Sequence, residues 1–195
     1  METPHDQLER VCSQWAQASG DAWTDLRGVF AERTYAKGDH LVMGGDALRD
    51  VFFVARGLLR LYYTDADGNE WNKAFTPEEG FAGSIASGLL GVPAPYSIQA
   101  LEETTVLAAP WASMEETYAA HPRLERLGRR FAEQILVKKE MRERAFLELD
   151  ATERYLAFLE REAALVERLP LYHVASYIGV TEVSLSRIRG RLARA

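Results

Sequence analysis

The residues best suited to chemistry lie at positions 171–195, where hydroxyl, carboxylate and guanidinium groups alternate with apolar side chains. Arginine can pair in a bidentate manner with guanine O6 and N7, and glutamate can accept a hydrogen bond from cytosine N4. This chemistry predicts contact with the major groove of DNA. The candidate DNA-binding residues are Thr181, Glu182, Val183, Ser184, Ser186, Arg187, Arg189 and Arg191. Arg187 is suited to reading bases, whereas Arg189 and Arg194 are suited to contacting phosphates.

The spacing in the same segment predicts two helices joined by a sharp turn. Such a motif needs a small residue where the helices cross and a turn residue that tolerates positive φ, and Ala175 and Gly179 fill these positions. Thr181 is placed to cap the second helix, with Glu182 in its first turn. The apolar positions around both helices hold Val174, Ile178, Val180, Leu185 and Ile188. We therefore predict a helix-turn-helix, to which an unrelated helical hairpin is the alternative.

The charge of the chain is unevenly distributed. The whole chain has a net charge of −6 and a pI near 5.3, whereas residues 171–195 contain four arginines and one acidic residue. An acidic body with a basic tail favours contact with nucleic acid. The alternative is that the arginines only solvate a terminal helix.

Upstream of the motif the chain begins with a helical segment, followed by a strand-rich part. Residues 1–30 predict two short helices separated near Gly20. From Arg33 to about Ala109, runs of β-branched and aromatic residues are separated by Gly- and Asp-rich turns, and Asp67-Gly68 predicts a hairpin. The predicted strands include residues 50–54, 58–63, 70–75, 96–100 and 104–108. This pattern predicts an all-β sandwich or barrel.

From Pro110 onward the pattern is helical. Residues 123–149 predict a helix about 40 Å long. Its apolar stripe consists of Leu124, Leu127, Phe131, Ile135, Ala145 and Leu149. Such a helix either packs along its own sheet or pairs with a second copy as a coiled-coil-like dimer seam. Another helix is predicted over residues 152–166, with Tyr155, Leu156, Leu159 and Ala163 on one side.

These features together resemble the CRP/FNR family of bacterial transcription regulators. In the first half the resemblance rests on the turns and strands at residues 36–39, 45–46, 51–57, 59–62, 67–68 and 79–83. In the second half it rests on residues 175–192, with Arg187 where the family often has a base-reading arginine. The resemblance covers nearly the whole chain.

The resemblance implies an α+β fold in three parts. These are a cyclic-nucleotide-binding-like β-roll sensor domain (residues 1–122) of the double-stranded β-helix, jelly-roll or cupin-like type, a dimerisation helix (residues 123–149) and a helix-turn-helix domain (residues 150–195). It also implies a homodimer through residues 124–149 that binds double-stranded DNA, with RNA polymerase as a candidate partner. No wing is evident after Leu192, so we expect the DNA-binding domain to lack one.

The roll is expected to hold a small effector, but the family pattern is altered there. Members that bind cyclic nucleotides use a glutamate for the ribose and an arginine for the phosphate, and these positions are Ser84 and Tyr96 here. Without the arginine a buried cyclic phosphate loses its bidentate partner, so we expect cAMP to bind weakly or not at all. The candidate residues for another ligand are Gly83, Ser84, Ile85, Tyr96 and Ser97. Ordinary packing is the alternative role for them.

Other function classes find little support in the sequence. Residues 65–69 lack the glycine and glutamate spacing of a calcium loop, and residues 83–88 match neither a nucleophile elbow nor a phosphate loop. The single Cys12 excludes a cysteine-based metal cage, and no apolar run could span a bilayer. We expect a cytoplasmic regulator with no enzyme activity, metal, cofactor or membrane contact. The alternative is a non-DNA-binding sensor or protein-interaction module with a vestigial helix-turn-helix.

Overall fold

The computed structural model describes residues 2–17 and 20–194. Two helices come first, α1 (Pro4–Ser13) and α2 (Gly20–Val29), as the break at Gly20 predicts. Thr3 caps α1, because its hydroxyl accepts a hydrogen bond from the Asp6 amide while the Asp6 carboxylate accepts one from the Thr3 amide. Pro4 begins the helix, a position where its missing N–H has no cost.

The described residues next form eight antiparallel strands in two four-stranded sheets. The strands are β1 (Ala31–Tyr35), β2 (His40–Val42), β3 (Asp50–Arg56), β4 (Leu59–Thr64), β5 (Glu70–Thr76), β6 (Phe81–Ala82), β7 (Ser97–Ala100) and β8 (Thr104–Pro110). One sheet has the order β1-β8-β3-β6 and the other the order β2-β7-β4-β5. All five predicted strands are confirmed, and β5 lies at the edge of its sheet.

Strand β3 is buried on both faces, which explains why its sequence is apolar throughout and does not alternate with polar residues. Phe52 and Val54 point into a core between the two sheets. Val51 and Phe53 point the other way, into a second core built with α1, α2 and the start of the long helix. Because both faces of the strand are buried, no position in the run Val-Phe-Phe-Val can be polar.

The turn between β4 and β5 is the predicted hairpin, and its acidic residues have a structural role. The Asp65 carboxylate accepts hydrogen bonds from the Trp71 indole N–H, from the amide and side chain of Asn69, and from the Asp67 amide. These donors, led by Trp71, lower the pKa of Asp65 to about 2. In the described part of the chain, no group of three or more His, Cys, Asp or Glu residues could hold a metal ion.

Three helices interrupt or follow the strands: α3 (Ile85–Leu90), α4 (Trp111–Ala120) and the long α5 (Pro122–Glu148). The first part of α5 belongs to the helix-facing core, since Leu124 and Leu127 are buried and Phe131 packs on Phe81 with ring centroids 5.3 Å apart. The predicted apolar stripe therefore begins by contacting the chain's own sheet. This part of α5 is a core helix.

The opposite face of α5 carries a second apolar set. It consists of Leu136, Val137, Met141 and Leu147, which are between 53% and 79% exposed. At about 100° per residue these side chains fall on one side of the helix, away from the Leu124 stripe. Within the described ranges, no helix is both long enough and apolar enough to cross a membrane.

The C-terminal helices are α6 (Ala151–Arg161), a 3₁₀ turn (Ala163–Leu165), α7 (Leu171–Ile178) and α8 (Glu182–Leu192). The predicted helix over 152–166 is too long, because the backbone leaves the helical region at Glu162 (φ −114°, ψ 29°). The predicted buried side is also partly wrong. Tyr155 is buried as predicted, but Leu156 and Ala163 are exposed, and Phe158, which was not predicted, is buried.

The two faces of α5 predict different effects for the same substitution. Leu124→Ala removes a fully buried side chain, so we expect it to lower the free energy of unfolding by about 2–5 kcal/mol. Leu136→Ala is the control on the same helix, and because its side chain is 64% exposed, we expect a change below about 0.5 kcal/mol in the monomer. Urea unfolding at low protein concentration measures both. Equal losses of free energy of unfolding in the two variants would show that Leu124 does not lie on the buried face of α5.

Candidate DNA-binding helix and effector pocket

The predicted helix-turn-helix is present at the predicted residues. Gly179 ends α7 with φ +73°, and Ala175 is buried where α7 meets α8. The shared core of the two helices includes Val174, Ile178, Leu185 and Ile188, with Val180 packed against it. These local contacts fix α8 relative to α7.

The N-terminus of α8 is capped by the side chains predicted to lie there. The Thr181 hydroxyl accepts a hydrogen bond from the Ser184 amide (3.2 Å), and the two hydroxyl oxygens are 2.9 Å apart. Thr181 and Ser184 therefore use their hydroxyl groups to hold the helix start. Glu182, in the first turn, is exposed and makes a favourable interaction with the helix dipole.

The outward face of α8 lies opposite Leu185 and Ile188. At about 100° per residue, its centre is formed by Val183, Ser186 and Arg187, and all three are exposed. Val183 is 60% exposed, a high value for a branched apolar side chain. This face is free to enter a groove of the width that admits a helix.

The other arginines of α8 surround this face. Arg189 is exposed on one flank. Arg191 is on the opposite flank, where its Nη2 lies 3.5 Å from the Thr152 hydroxyl of α6. Arg194 follows the helix and donates from Nε to the Gly190 carbonyl at 2.8 Å. Within residues 2–17 and 20–194, none of Arg187, Arg189 and Arg191 forms an ion pair.

The first helix of the motif docks on the free edge of β5. The Ser176 hydroxyl accepts a hydrogen bond from the Asn72 amide (2.8 Å) and donates one to the Glu70 carbonyl (2.8 Å). It thus satisfies two edge groups that a neighbouring strand would otherwise pair. The Asn72 side chain also donates to the His173 carbonyl (3.0 Å) and lies 3.1 Å from His173 Nδ1.

Arg142 of α5 completes this junction. Its Nη2 donates to the carbonyls of Asn72 (3.0 Å) and Tyr177 (2.9 Å), and its guanidinium lies 4.2 Å from the Tyr177 ring centroid. Burial lowers the pKa of Arg142. The long helix, the roll and the helix-turn-helix therefore meet at one guanidinium. The sequence pattern did not predict this junction; its one local sign is Asn72, a residue type that is uncommon inside a strand.

Of the five candidate ligand-binding residues, Gly83, Ser84 and Ile85 lie at the start of α3, and Tyr96 and Ser97 lie at the start of β7. The Ser84 hydroxyl caps α3 by accepting from the Ser87 amide, and the Tyr96 hydroxyl donates to the Gly83 carbonyl at 2.6 Å. The Ser97 hydroxyl accepts from the Gly44 amide (2.9 Å), and Ile85 begins α3, half-buried. Burial raises the pKa of Tyr96 to about 12. Gly83, Ser84 and Tyr96 are brought together, and their polar groups are bonded within the roll.

His173 makes the docking of α7 on the roll sensitive to pH. Burial, aided by the positive charge of Arg60, lowers its pKa from 6.5 to about 4. Between these values the unfolded chain binds a proton that the folded chain does not, so stability falls as the pH decreases. We expect the free energy of unfolding to fall by about 1–2 kcal/mol more between pH 7 and 5 in the native chain than in His173→Gln. Urea unfolding at both pH values measures this difference. An equal fall in the free energy of unfolding in the native chain and in His173→Gln would contradict the prediction.

Comparisons with known proteins agree with this geometry. Residues 32–121 match the family model of the cyclic nucleotide-binding domain. FixK2 from Bradyrhizobium japonicum is 20% identical over 85% of each chain, with a TM-score of 0.73. The c-di-GMP responsive global regulator CLP of Xanthomonas campestris is 13% identical over 90% of this chain and 92% of its own, with a TM-score of 0.73.

A mutant of CooA from Carboxydothermus hydrogenoformans is 18% identical over 93% of this chain and 82% of its own, with a TM-score of 0.72. A comparison with curated proteins gave no match. Residues 32–121 therefore match a cyclic nucleotide-binding domain, and the chain shares its α+β fold with FixK2, CLP and CooA.

Proposed function

We propose that this chain is a cytoplasmic, DNA-binding transcription regulator of the CRP/FNR type rather than an enzyme. The observation that carries the proposal is the outward face of α8, where Val183, Ser186 and Arg187 are exposed and no carboxylate pairs with Arg187 among the described residues. A helix with such a face fits the major groove, and its arginine can pair with guanine.

The proposed DNA contacts fall into two groups, those that read base edges and those that position the protein on the phosphates. Arg187 and Glu182 are suited to base edges, with Val183 placed to contact a thymine methyl group. Arg189 lies on the flank of the helix and Arg194 at its end, positions from which they can contact phosphates of the DNA backbone. Arg191 is directed towards α6, so we assign it a phosphate contact rather than a base contact. Thr181 and Ser184 contribute by holding the cap, and Ser186 can bond to a base edge.

The active form is proposed to be a homodimer through residues 124–149. The face that pairs is the exposed one, with Leu136, Val137, Met141 and Leu147, because the Leu124 stripe is used inside the chain. Two copies paired in this way would present two α8 helices to half-sites about one DNA turn apart. The strand orders of the two sheets support the double-stranded β-helix description of the roll.

The roll is proposed to respond to an effector other than cAMP. The positions of the ribose glutamate and the phosphate arginine are Ser84 and Tyr96, and both side chains bond within the roll. A cyclic phosphate placed there would lack a cationic partner from this segment.

Selection from a randomised double-stranded DNA pool tests the DNA-binding proposal. We expect the native chain to enrich a palindrome and Arg187→Ala to lose the enrichment. Arg56→Ala, which removes an exposed arginine of the roll that pairs with Glu103, is the matched control and should enrich the same sequence. Binding should weaken between about 50 and 200 mM salt, as phosphate contacts require.

The outcomes separate the proposal from its alternative. Salt-sensitive binding without enrichment would mean that only phosphate contacts operate. Absence of binding by the native chain would contradict the proposal and favour a sensor or interaction module whose helix-turn-helix no longer binds DNA.

A charged residue placed in the exposed face of α5 tests the dimer. We expect Met141→Glu to convert the dimer to monomers at micromolar concentration, because a carboxylate would be buried without a partner. Leu156→Glu is the control, since Leu156 is also exposed, at 46%, but lies on α6. Sedimentation velocity gives the mass of each. A native chain that is already monomeric would contradict the proposed pairing.

A further inference from the structure

An apolar recess lies outside the roll, between β3, the N-terminal helices α1 and α2, α4 and the start of α5. Measured out to its mouth it has a volume of about 440 Å³, of which about 40 Å³ is enclosed. Leu8, Leu26 and Leu127 are among its lining residues, and the described residues that line it carry no charge. Val51 faces this recess, whereas Tyr96 belongs to the core between the two sheets. The recess is therefore separate from the effector position in the roll.

Aromatic side chains form the wall of the recess. Trp15, Phe81, Trp111, Tyr118 and Phe131 all line it, and each of them is only half-buried. The Phe81 ring meets Phe131 edge to face with centroids 5.3 Å apart, and lies 6.2 Å from the centroid of Trp15. Aromatic rings attract one another in such tilted and edge-to-face arrangements. A flat aromatic molecule in the open part of the recess would extend the same packing.

The indole N–H of Trp111 is a donor that the fold leaves unused. Its Nε1 is buried and has no hydrogen-bond partner within residues 2–17 and 20–194. Buried donors are nearly always paired, and an unpaired one costs stability. The ring is held against α3, since a Cβ atom at Gly88 would lie 2.6 Å from it and only glycine leaves it room. Because Trp111 lines the recess, a molecule bound there can supply the acceptor.

The other polar groups of the wall favour a neutral molecule. Burial raises the pKa of the Cys12 thiol to about 12 and raises the pKa of the Tyr118 hydroxyl, so both groups are uncharged at pH 7. A charged molecule would lose its hydration in the recess without gaining an opposite charge. A carbonyl oxygen can accept from an indole N–H at a smaller cost of desolvation.

We propose that this recess binds a neutral aromatic small molecule with one hydrogen-bond acceptor, which pairs with the Trp111 N–H. The enclosed 40 Å³ is little more than the roughly 30 Å³ that one water molecule occupies in the liquid, so it admits only one edge of the molecule. The ring lies in the open part, among the half-buried aromatic side chains. The chain thereby has a second ligand site, in addition to the one proposed in the roll.

Titration of the full chain, followed by ligand-observed NMR, tests the site with acetophenone, ethylbenzene and benzoate. Acetophenone and ethylbenzene are similar in shape, but only acetophenone has a carbonyl oxygen. We expect acetophenone to bind about three- to tenfold more tightly than ethylbenzene, because it pairs with the free donor. Benzoate should bind most weakly, because it brings a charge into an apolar site.

Two tryptophan variants assign the hydrogen bond. Trp111→Phe removes the N–H and keeps an aromatic ring, so we expect it to abolish the preference for acetophenone over ethylbenzene. Trp71→Phe is the matched control, because Trp71 is 44% exposed and lies on β5, outside the recess. It should keep the preference of the native chain.

A variant that fills the enclosed part assigns the place. Val51→Ile adds one methylene group to a lining residue, so we expect it to weaken binding of both neutral probes about tenfold and to raise the melting temperature. Val54→Ile is the control on the same strand, since Val54 points into the core between the sheets. Its affinity for both probes should equal that of the native chain.

Three results would overturn the proposal. They are no saturable binding of acetophenone by the native chain, an unchanged preference in Trp111→Phe, and an unchanged affinity in a folded Val51→Ile. If Val51→Ile does not fold, the preference measured in Trp111→Phe decides. None of these measurements involves DNA, so the outcome is independent of the proposed regulatory function.

Discussion

The arrangement of the molecule depends on how the free edge of β5 is covered. An edge strand exposes amide and carbonyl groups that must find partners. Here the Ser176 hydroxyl pairs with the amide of Asn72 and the carbonyl of Glu70, and Arg142 pairs with the carbonyl of Asn72. Since α7 and α8 share a core, the position of α7 on this edge also sets the position of the outward face of α8.

Several polar contacts join the roll to the C-terminal helices. Arg168 donates to Glu78 through both terminal nitrogens (2.9 and 3.0 Å) and also to Glu102, which ties the segment before α7 to two turns of the roll. Apolar contact is limited to a few roll residues such as Leu58 and Phe75. Hydrogen bonds and ion pairs can exchange partners at small net cost, so this junction can respond to a ligand more readily than a packed apolar core can.

The sequence predicted the elements whose signals are local. The helix-turn-helix, its cap at Thr181 and the long α5 all depend on neighbouring residues, and all are present. Strands β1, β2 and β6 were not predicted. Strands β2 and β6 contain only three and two residues, too few to show an alternating pattern, and β1 is exposed along most of its length and so carries no apolar alternation. The end of α6 was misplaced, and the burial of Phe158, which packs on Tyr177 with ring centroids 5.5 Å apart, was not predicted because it depends on tertiary contact.

The functional sites show the same difference between features set by neighbouring residues and features set by distant ones. The exposed residues of α8 follow from helical spacing, whereas the junction joins Asn72 to residues about one hundred positions later in the chain. Nothing in the local pattern indicates that pairing. Long-range contacts and strand register are properties of the folded chain, so sequence spacing alone does not reveal them.

The most direct test of this account is hydrogen–deuterium exchange of β5 in the native chain and in Ser176→Ala. We expect the Asn72 amide to exchange slowly in the native chain and much faster in the variant, while the amides of β3 are unchanged. An Asn72 amide that exchanges at the same rate in both would show that α7 does not cover the edge. The position of α8 would then have to be fixed in another way.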